Sequence, residues 1–341
     1  MRASTDWFRD AKWGVFVHYL AGLPSADDPD GTTSESWNER IDAFDVDGLA
    51  QQLDEVQAGY FFITLGQNSG YILSPNATYD SLVPRDPSRL SRRDLVADLI
   101  AALAPYDIPV MVYSPAHAPA LDRLAVEGLK CTPPWDASCW QLRPGTYLIE
   151  GEVDTRLTAF QRNWEAILRE WSRRWGKGCR GWWFDGCYKA DLMYRSPDEP
   201  NFESFAAAVK AGNPDSLVAF NPGVKVPVIC YTEYEDYTAG EVAGELPALM
   251  DSHWGRTDKP EHYWGMPIQR FVDGAQYHVL TFMGPYWCRG VPRFPDELVI
   301  GYTKHLNSLE GVISWDVPTH ESGLIPEPFM AQLRALAQAT R

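Results

Sequence analysis

One event recurs along this chain: a short apolar run stops abruptly at a polar residue, and a stretch with helical apolar spacing leads to the next run. Trp13-Gly-Val-Phe-Val ends at His18-Tyr19. Residues 45–57 carry Val46, Leu49, Ala50, Leu53 and Val56 at helical spacing, and lead into Tyr60-Phe-Phe-Ile-Thr-Leu65, which ends at Gln67-Asn68. A helix over 92–106 leads to Pro109-Val-Met-Val-Tyr113 and then His117. An amphipathic segment over 155–175 leads to Gly181-Trp-Trp-Phe-Asp-Gly-Cys187, and segment 202–211 leads to Leu217-Val-Ala-Phe220 and Asn221. Tyr277–Phe282 precedes Tyr286-Trp287; helix 296–307 follows, and Gly311-Val-Ile-Ser-Trp315 ends at Asp316. Apolar strands alternating with amphipathic helices predict a parallel sheet built from strand-helix-strand units. Seven strands are clear and an eighth is expected between 226 and 271, so the sequence predicts an α/β chain forming a single (β/α)8 TIM barrel over residues 1–341, with a last helix near 327–339.

In such barrels the strands' C-terminal ends face the active site, so the polar residues that stop these runs are the functional candidates. The sharpest is Asp185, a carboxylate ending an aromatic strand, where three aromatic neighbours would give it a dry place to attack a substrate. Asp185-Gly186 is also a plain turn pair. The chain holds 14 Trp, 16 Tyr and 14 Phe, and Trp37, Trp135, Trp140, Trp254, Trp264, Trp287 and Trp315 fall in loop-like contexts or at strand ends. Rings so placed can stack on the C–H face of a sugar, although packing is the commoner fate of any one of them.

Composition narrows the partners. With 30 basic and 46 acidic residues the formal charge is −16, which argues against nucleic acid and anionic membrane surfaces and favours a neutral substrate. No run approaches the length of a membrane span, and Met1-Arg-Ala-Ser-Thr-Asp lacks a signal-peptide apolar core, so the expectation is a soluble, cytoplasmic protein. Of six cysteines, Cys131 and Cys139 are close enough to pair within one loop, while Cys179, Cys187 and Cys230 read as small core residues. There is no CxxC, and no metal site is expected.

Trp7-Phe8-Arg-Asp-Ala-Lys-Trp-Gly-Val-Phe-Val-His18 resembles the opening signature of the α-L-fucosidase family of glycoside hydrolases, and Trp183-Phe184-Asp185-Gly186 resembles that family's nucleophile strand. Arg93-Asp94-Leu95-Val96 at a helix start and Tyr113-Ser114 at a strand end fit its order of elements. The resemblance, over roughly residues 7–320, implies a retaining exo-glycosidase on a barrel that needs no cofactor and acts on a carbohydrate substrate, with Asp185 as nucleophile and His18 binding the sugar. It implies an acid/base downstream, where Asp236-Tyr237 ahead of Glu241 makes Glu241 the first choice and Glu233 the second. Trp37, Gln67, Asn68, His117, Trp183, Asn221, Trp287, Trp315 and Asp316 are the remaining substrate-binding candidates; Asp316 either binds a hydroxyl or caps a turn.

The chain also departs from that pattern. Gln67-Asn68-Ser69-Gly70 stands where the family carries His-His-Asp-Gly, and Glu35-Ser36-Trp37 displaces the glutamate of its Glu-Trp-Tyr. The family's C-terminal β-sandwich is not expected, because Gly311–Asp316 is still barrel. These departures point to a terminal sugar other than fucose. Two readings stay beside hydrolysis with retention: inverting or transglycosylating chemistry on the same scaffold, and a catalytically silent sugar-binding barrel.

Overall fold

The computed structural model describes residues 2–21, 32–131, 154–247 and 266–340. Trp135, Trp140, Trp254, Trp264, Cys139 and part of the region expected to hold the eighth strand lie outside the described residues. The strands are β1 (Trp13–Val17), β2 (Phe61–Thr64), β3 (Val110–Pro115), β4 (Cys179–Asp185) and β5 (Leu217–Phe220). A two-residue antiparallel pair follows, β6 (Phe271–Val272) with β7 (Ala275–Gln276), and then β8 (His278–Phe282) and β9 (Val312–Asp316). Seven strands form one sheet in the order β5-β4-β3-β2-β1-β9-β8, and every neighbouring pair is parallel. Helices cross between them as the spacing predicts: Val46–Glu55, Leu95–Leu103, Thr158–Trp175, Phe202–Val209, Asp296–Ser308 and Glu327–Thr340. Asp45 and Asp94 accept from Gly48 N–H and Ala97 N–H and so start the first two of these.

Strand side chains alternate between two faces, and two apolar clusters follow from that. One lies between sheet and helices and takes Trp182, Phe184 and Trp315. The other covers the opposite face and gathers Phe16, Phe62, Met111, Tyr113, Trp183, Ala219, Leu280 and Val312, joined by Tyr237 and Ala239. Phe8, on the short helix Asp6–Ala11, enters this second cluster against Tyr60, Tyr237 and His278 at ring distances of 4.9, 5.1 and 5.5 Å.

The expected eighth strand is not among the sheet's seven. Between β5 and β8 runs an irregular segment, 236–242, which exchanges hydrogen bonds with β7 and β8: Thr238 N–H donates to the Gln276 carbonyl of β7, Leu280 N–H of β8 donates to Gly240, and Val242 N–H donates to Leu280. On the β5 side, carboxylates do part of what strand carbonyls would do. Asp236 Oδ2 accepts from Val218 N–H at 2.9 Å, and Glu235 Oε2 accepts from Phe220 N–H at 3.3 Å. Gly240, at φ +67°, brings the segment against β8; a Cβ there would meet the His278 carbonyl oxygen at 2.0 Å. Glu241 follows directly.

Candidate active site

Parallel pairing sets the strand ends level. Phe184 is paired with Phe220, so Asp185 and Asn221 project side by side, and Phe16 is paired with Asp316, which brings His18 to Asp316. Trp183 and Asp185, two residues apart, share one face of β4. Trp182 and Phe184 face the helices instead, Trp182 against Trp175 at 5.6 Å and Phe184 against Phe205 at 4.7 Å. Only one of the three aromatics expected around Asp185 therefore shares its side of the strand.

Asp185 Oδ2 accepts from the Tyr113 hydroxyl at 2.7 Å, and Oδ1 accepts from Asn221 Nδ2 at 2.9 Å and Tyr188 at 3.5 Å. The same Asn221 Nδ2 donates to Glu241 Oε2 at 2.7 Å. Gly223 N–H donates to Asn221 Oδ1, which fixes the amide with its nitrogen toward the acids. One –NH2 group thus holds two carboxyls, and their oxygens are separated by no more than the sum of those two bonds, about 5.6 Å. Burial, with the Asp185 charge as the second cause, pushes Glu241 up to about 7, while the Asn221 hydrogen bond and His18 pull the other way. The Asp185 charge is likewise the largest cause raising the Tyr188 phenol above its ordinary range.

Across the mouth, His18 Nδ1 lies 2.6 Å from Asp316 Oδ2, and Asp316 Oδ1 accepts from Cys288 N–H at 2.5 Å. The buried carboxylate orients the imidazole through Nδ1. Burial raises Asp316, and His18 opposes it. Trp287, partly exposed, lies 5.4 Å from the His18 ring. Trp183 is buried, donates to the Ala239 carbonyl and stacks on Tyr113 at 5.3 Å, so it supports the site from within the sheet's inner cluster.

The structure thus brings Asp185, Glu241, Asn221, Gln67, His18, Asp316 and Trp287 to one end of the sheet, and leaves other candidates elsewhere. Trp315 is fully buried, donating to Thr303 Oγ1 among the helices, because its neighbour Asp316 takes the opposite face. Trp37, on the helix Ser34–Asp42, is 1% exposed and donates to the Ile72 carbonyl. Glu233 is exposed and accepts from its neighbour Thr232. Buried His117 places Nδ1 2.7 Å from the Ala118 carbonyl oxygen. Asn68 keeps a buried Oδ1 with no hydrogen-bond partner. Sequence reasoning missed Tyr113 and Tyr188 as contacts of Asp185. Tyr113 shares its face with Met111 by strand alternation; Tyr188 sits in the loop after β4, where no periodicity marks it. Among the described residues no group of acidic, histidine and cysteine side chains has the arrangement of a metal site, and no helix is long and apolar enough to cross a membrane.

No family model and no curated protein matches the sequence. Solved structures share the fold. An endo-fucoidan hydrolase from glycoside hydrolase family 107 superposes with a TM-score of 0.68 at 16% identity, over 98% of this chain and 53% of that one. A second endo-fucoidan hydrolase of that family gives 0.65 at 15%, over 97% and 92%. An α-L-fucosidase of family 29 from Bacteroides thetaiotaomicron gives 0.59 at 14%, over 99% and 74%. The chain spans about half the length of the first of these. At such identities the likeness is one of fold.

Proposed function

We propose that this protein is a glycoside hydrolase that removes a terminal sugar with retention of configuration, Asp185 acting as nucleophile and Glu241 as acid/base. The observation that carries the reading is the shared Asn221 amide. It keeps these two carboxyl oxygens no further apart than about 5.6 Å, a bound that admits the roughly 5–5.5 Å of retaining enzymes and falls short of the roughly 6.5–9.5 Å that leaves room for water in inverting ones. The solved structures of the same fold carry names of fucose-processing hydrolases, which agrees with it. In this reading 236–242 takes the place of an eighth strand and completes a barrel, making residues 1–341 one catalytic domain.

The two acids share the work through their mutual charge. Glu241 near 7 is still substantially protonated at neutral pH and gives its proton to the departing oxygen as Asp185 Oδ attacks the anomeric carbon. Once Asp185 is esterified its charge is gone, one cause holding Glu241 high disappears, and Glu241 ionises more readily, so that it is available to take the proton of the water that releases the sugar. His18 Nε2, oriented by Asp316, offers a polar group to hydroxyls, and Trp287 offers a ring face. The absence at 67 and 68 of the two imidazoles that the fucosidase pattern carries favours a sugar other than α-L-fucose.

The test is a panel of aryl α-L-fucosides, α- and β-galactosides and arabinosides, followed by oligosaccharides, with wild type beside Asp185→Asn. Turnover of a preferred substrate should fall by roughly a thousandfold or more in the variant, with the thermal melt preserved. Azide added to Asp185→Gly should restore turnover and yield a glycosyl azide of inverted configuration. An Asp185→Asn variant as active as wild type, or a first-formed product of inverted configuration, overturns the assignment. Sugar binding without turnover in wild type points instead to the silent binding barrel.

A further inference from the structure

Gln67 stands where the fucosidase pattern has an imidazole, which makes it a candidate for hydroxyl binding. Its hydrogen bonding commits it elsewhere. Gln67 Nε2 donates to the Tyr113 phenol oxygen at 2.8 Å. An amide nitrogen only donates, and a phenol has a single proton, so that proton has one destination left: Asp185 Oδ2, at 2.7 Å. The ring cannot turn away, since it is 1% exposed, stacks on Trp183 and meets Phe16 edge-on at 6.1 Å.

We propose that Gln67 is a positioning residue that acts through Tyr113, polarising the phenol and committing its proton to Asp185 so that the carboxylate keeps one orientation and one hydrogen-bonding state. Consecutive hydrogen bonds strengthen one another, so the amide raises the value of the phenol's bond to the carboxylate without touching it. An imidazole at 67 would act differently: its unprotonated nitrogen accepts, and the phenol proton would then have two destinations that alternate with tautomer and pH. The amide removes that alternative over the whole working range. The catalytic consequence rests on the glycosidase reading; the direction of the proton does not.

A double-mutant cycle between Gln67→Met and Tyr113→Phe tests this, read in two ways. In steady-state kinetics on the best substrate, Gln67→Met should lower kcat about tenfold with KM within about twofold, and should lower it no further in the Tyr113→Phe background. A rise in KM of equal size in both backgrounds would make Gln67 a sugar ligand and overturn the proposal. The second reading needs no substrate: the Glu241 carboxyl is titrated by carbon-13 NMR. With the Asp185 charge less neutralised, the Glu241 midpoint, near 7 in wild type, should move up in Gln67→Met, and adding this change to Tyr113→Phe should move it no further. A midpoint unmoved by Gln67→Met overturns the relay. Coupling in the titration with no turnover on any glycoside supports the relay and counts against the glycosidase reading alone.

Discussion

Glu235 and Glu241 lie six residues apart in the irregular stretch between β5 and β8, and burial raises both, Glu235 to about 8 and Glu241 to about 7. They are nonetheless different groups. Glu235 is fully buried, and its oxygens are taken by backbone donors, Tyr231 N–H at 2.5 Å and Phe220 N–H at 3.3 Å, so it fastens the segment to β5. The next residue does the same: buried Asp236 accepts from Ala3 N–H, Val218 N–H and Lys210 Nζ, the last at 2.6 Å. Glu241, at the other end, is partly exposed and faces a second carboxylate across one shared amide. A raised carboxyl alone therefore does not mark chemistry. It marks chemistry where another acid stands opposite and a ligand can reach both.

The sharpest way to break this contrast is to remove one acid at a time. Glu241→Gln should cut turnover of a substrate with a poor leaving group by roughly a hundredfold to ten-thousandfold, spare substrates whose leaving groups need no proton, and abolish the loss of rate expected of wild type as pH rises through about 7. Retention of that basic limb in Glu241→Gln would place the acid elsewhere. Because Glu233 is exposed and faces none of these groups, Glu233→Gln serves as the matched control and should resemble wild type.

The strand ends were legible in the sequence because apolar runs buried on both faces cannot continue into charge, so Asp185, Asn221, His18 and Asp316 announce where the sheet opens. The errors came from ignoring the two-residue period within those same runs. Trp315 and Asp316 are adjacent and must face opposite ways, so a site holding Asp316 excludes Trp315; the same rule separates Trp182 and Phe184 from Asp185. Trp37 was misread as a loop residue, although the Thr33 and Ser36 side chains cap its helix reciprocally. The segment 236–242 offers no apolar run to place within the expected 226–271, since part of the hydrogen bonding toward β5 is made by the side chains of Glu235 and Asp236, and no periodicity encodes a carboxylate acting as a carbonyl.

A smaller effect is expected from the amide that joins the pair. Asn221→Ala leaves both carboxyls without their common donor, and an unpaired buried acceptor costs about 1–3 kcal/mol, so kcat should fall by roughly ten- to a hundredfold. The direction in pH is fixed as well. The Asn221 hydrogen bond lowers Glu241, so its loss raises that carboxyl further and moves the basic limb to higher pH. A limb that stays put or moves down would mean that Asn221 does not govern the acid.

The smallest effect on activity, and the one that tests the other half of the contrast, is expected from Glu235→Gln. Turnover and its basic limb should stay within about twofold of wild type, because Glu235 touches backbone donors rather than the Asp185 pair. Stability should change with pH instead. Glu235 titrates near 8 in the folded chain against an ordinary 4.5, so between those values the native state binds the extra proton. The stability this contributes is fully present below about 4.5 and is lost as pH rises through about 8. Glutamine carries no titrating proton, so groups common to both proteins cancel and the melting temperature of the variant minus that of wild type should climb from pH 5 to pH 8 and then level. A constant offset is superposed, since the single amide oxygen cannot accept both N–H donors that the two carboxylate oxygens satisfy. A flat difference would show that Glu235 is not titrating in this window. Loss of the basic limb of activity in Glu235→Gln would instead exchange the roles of the two glutamates.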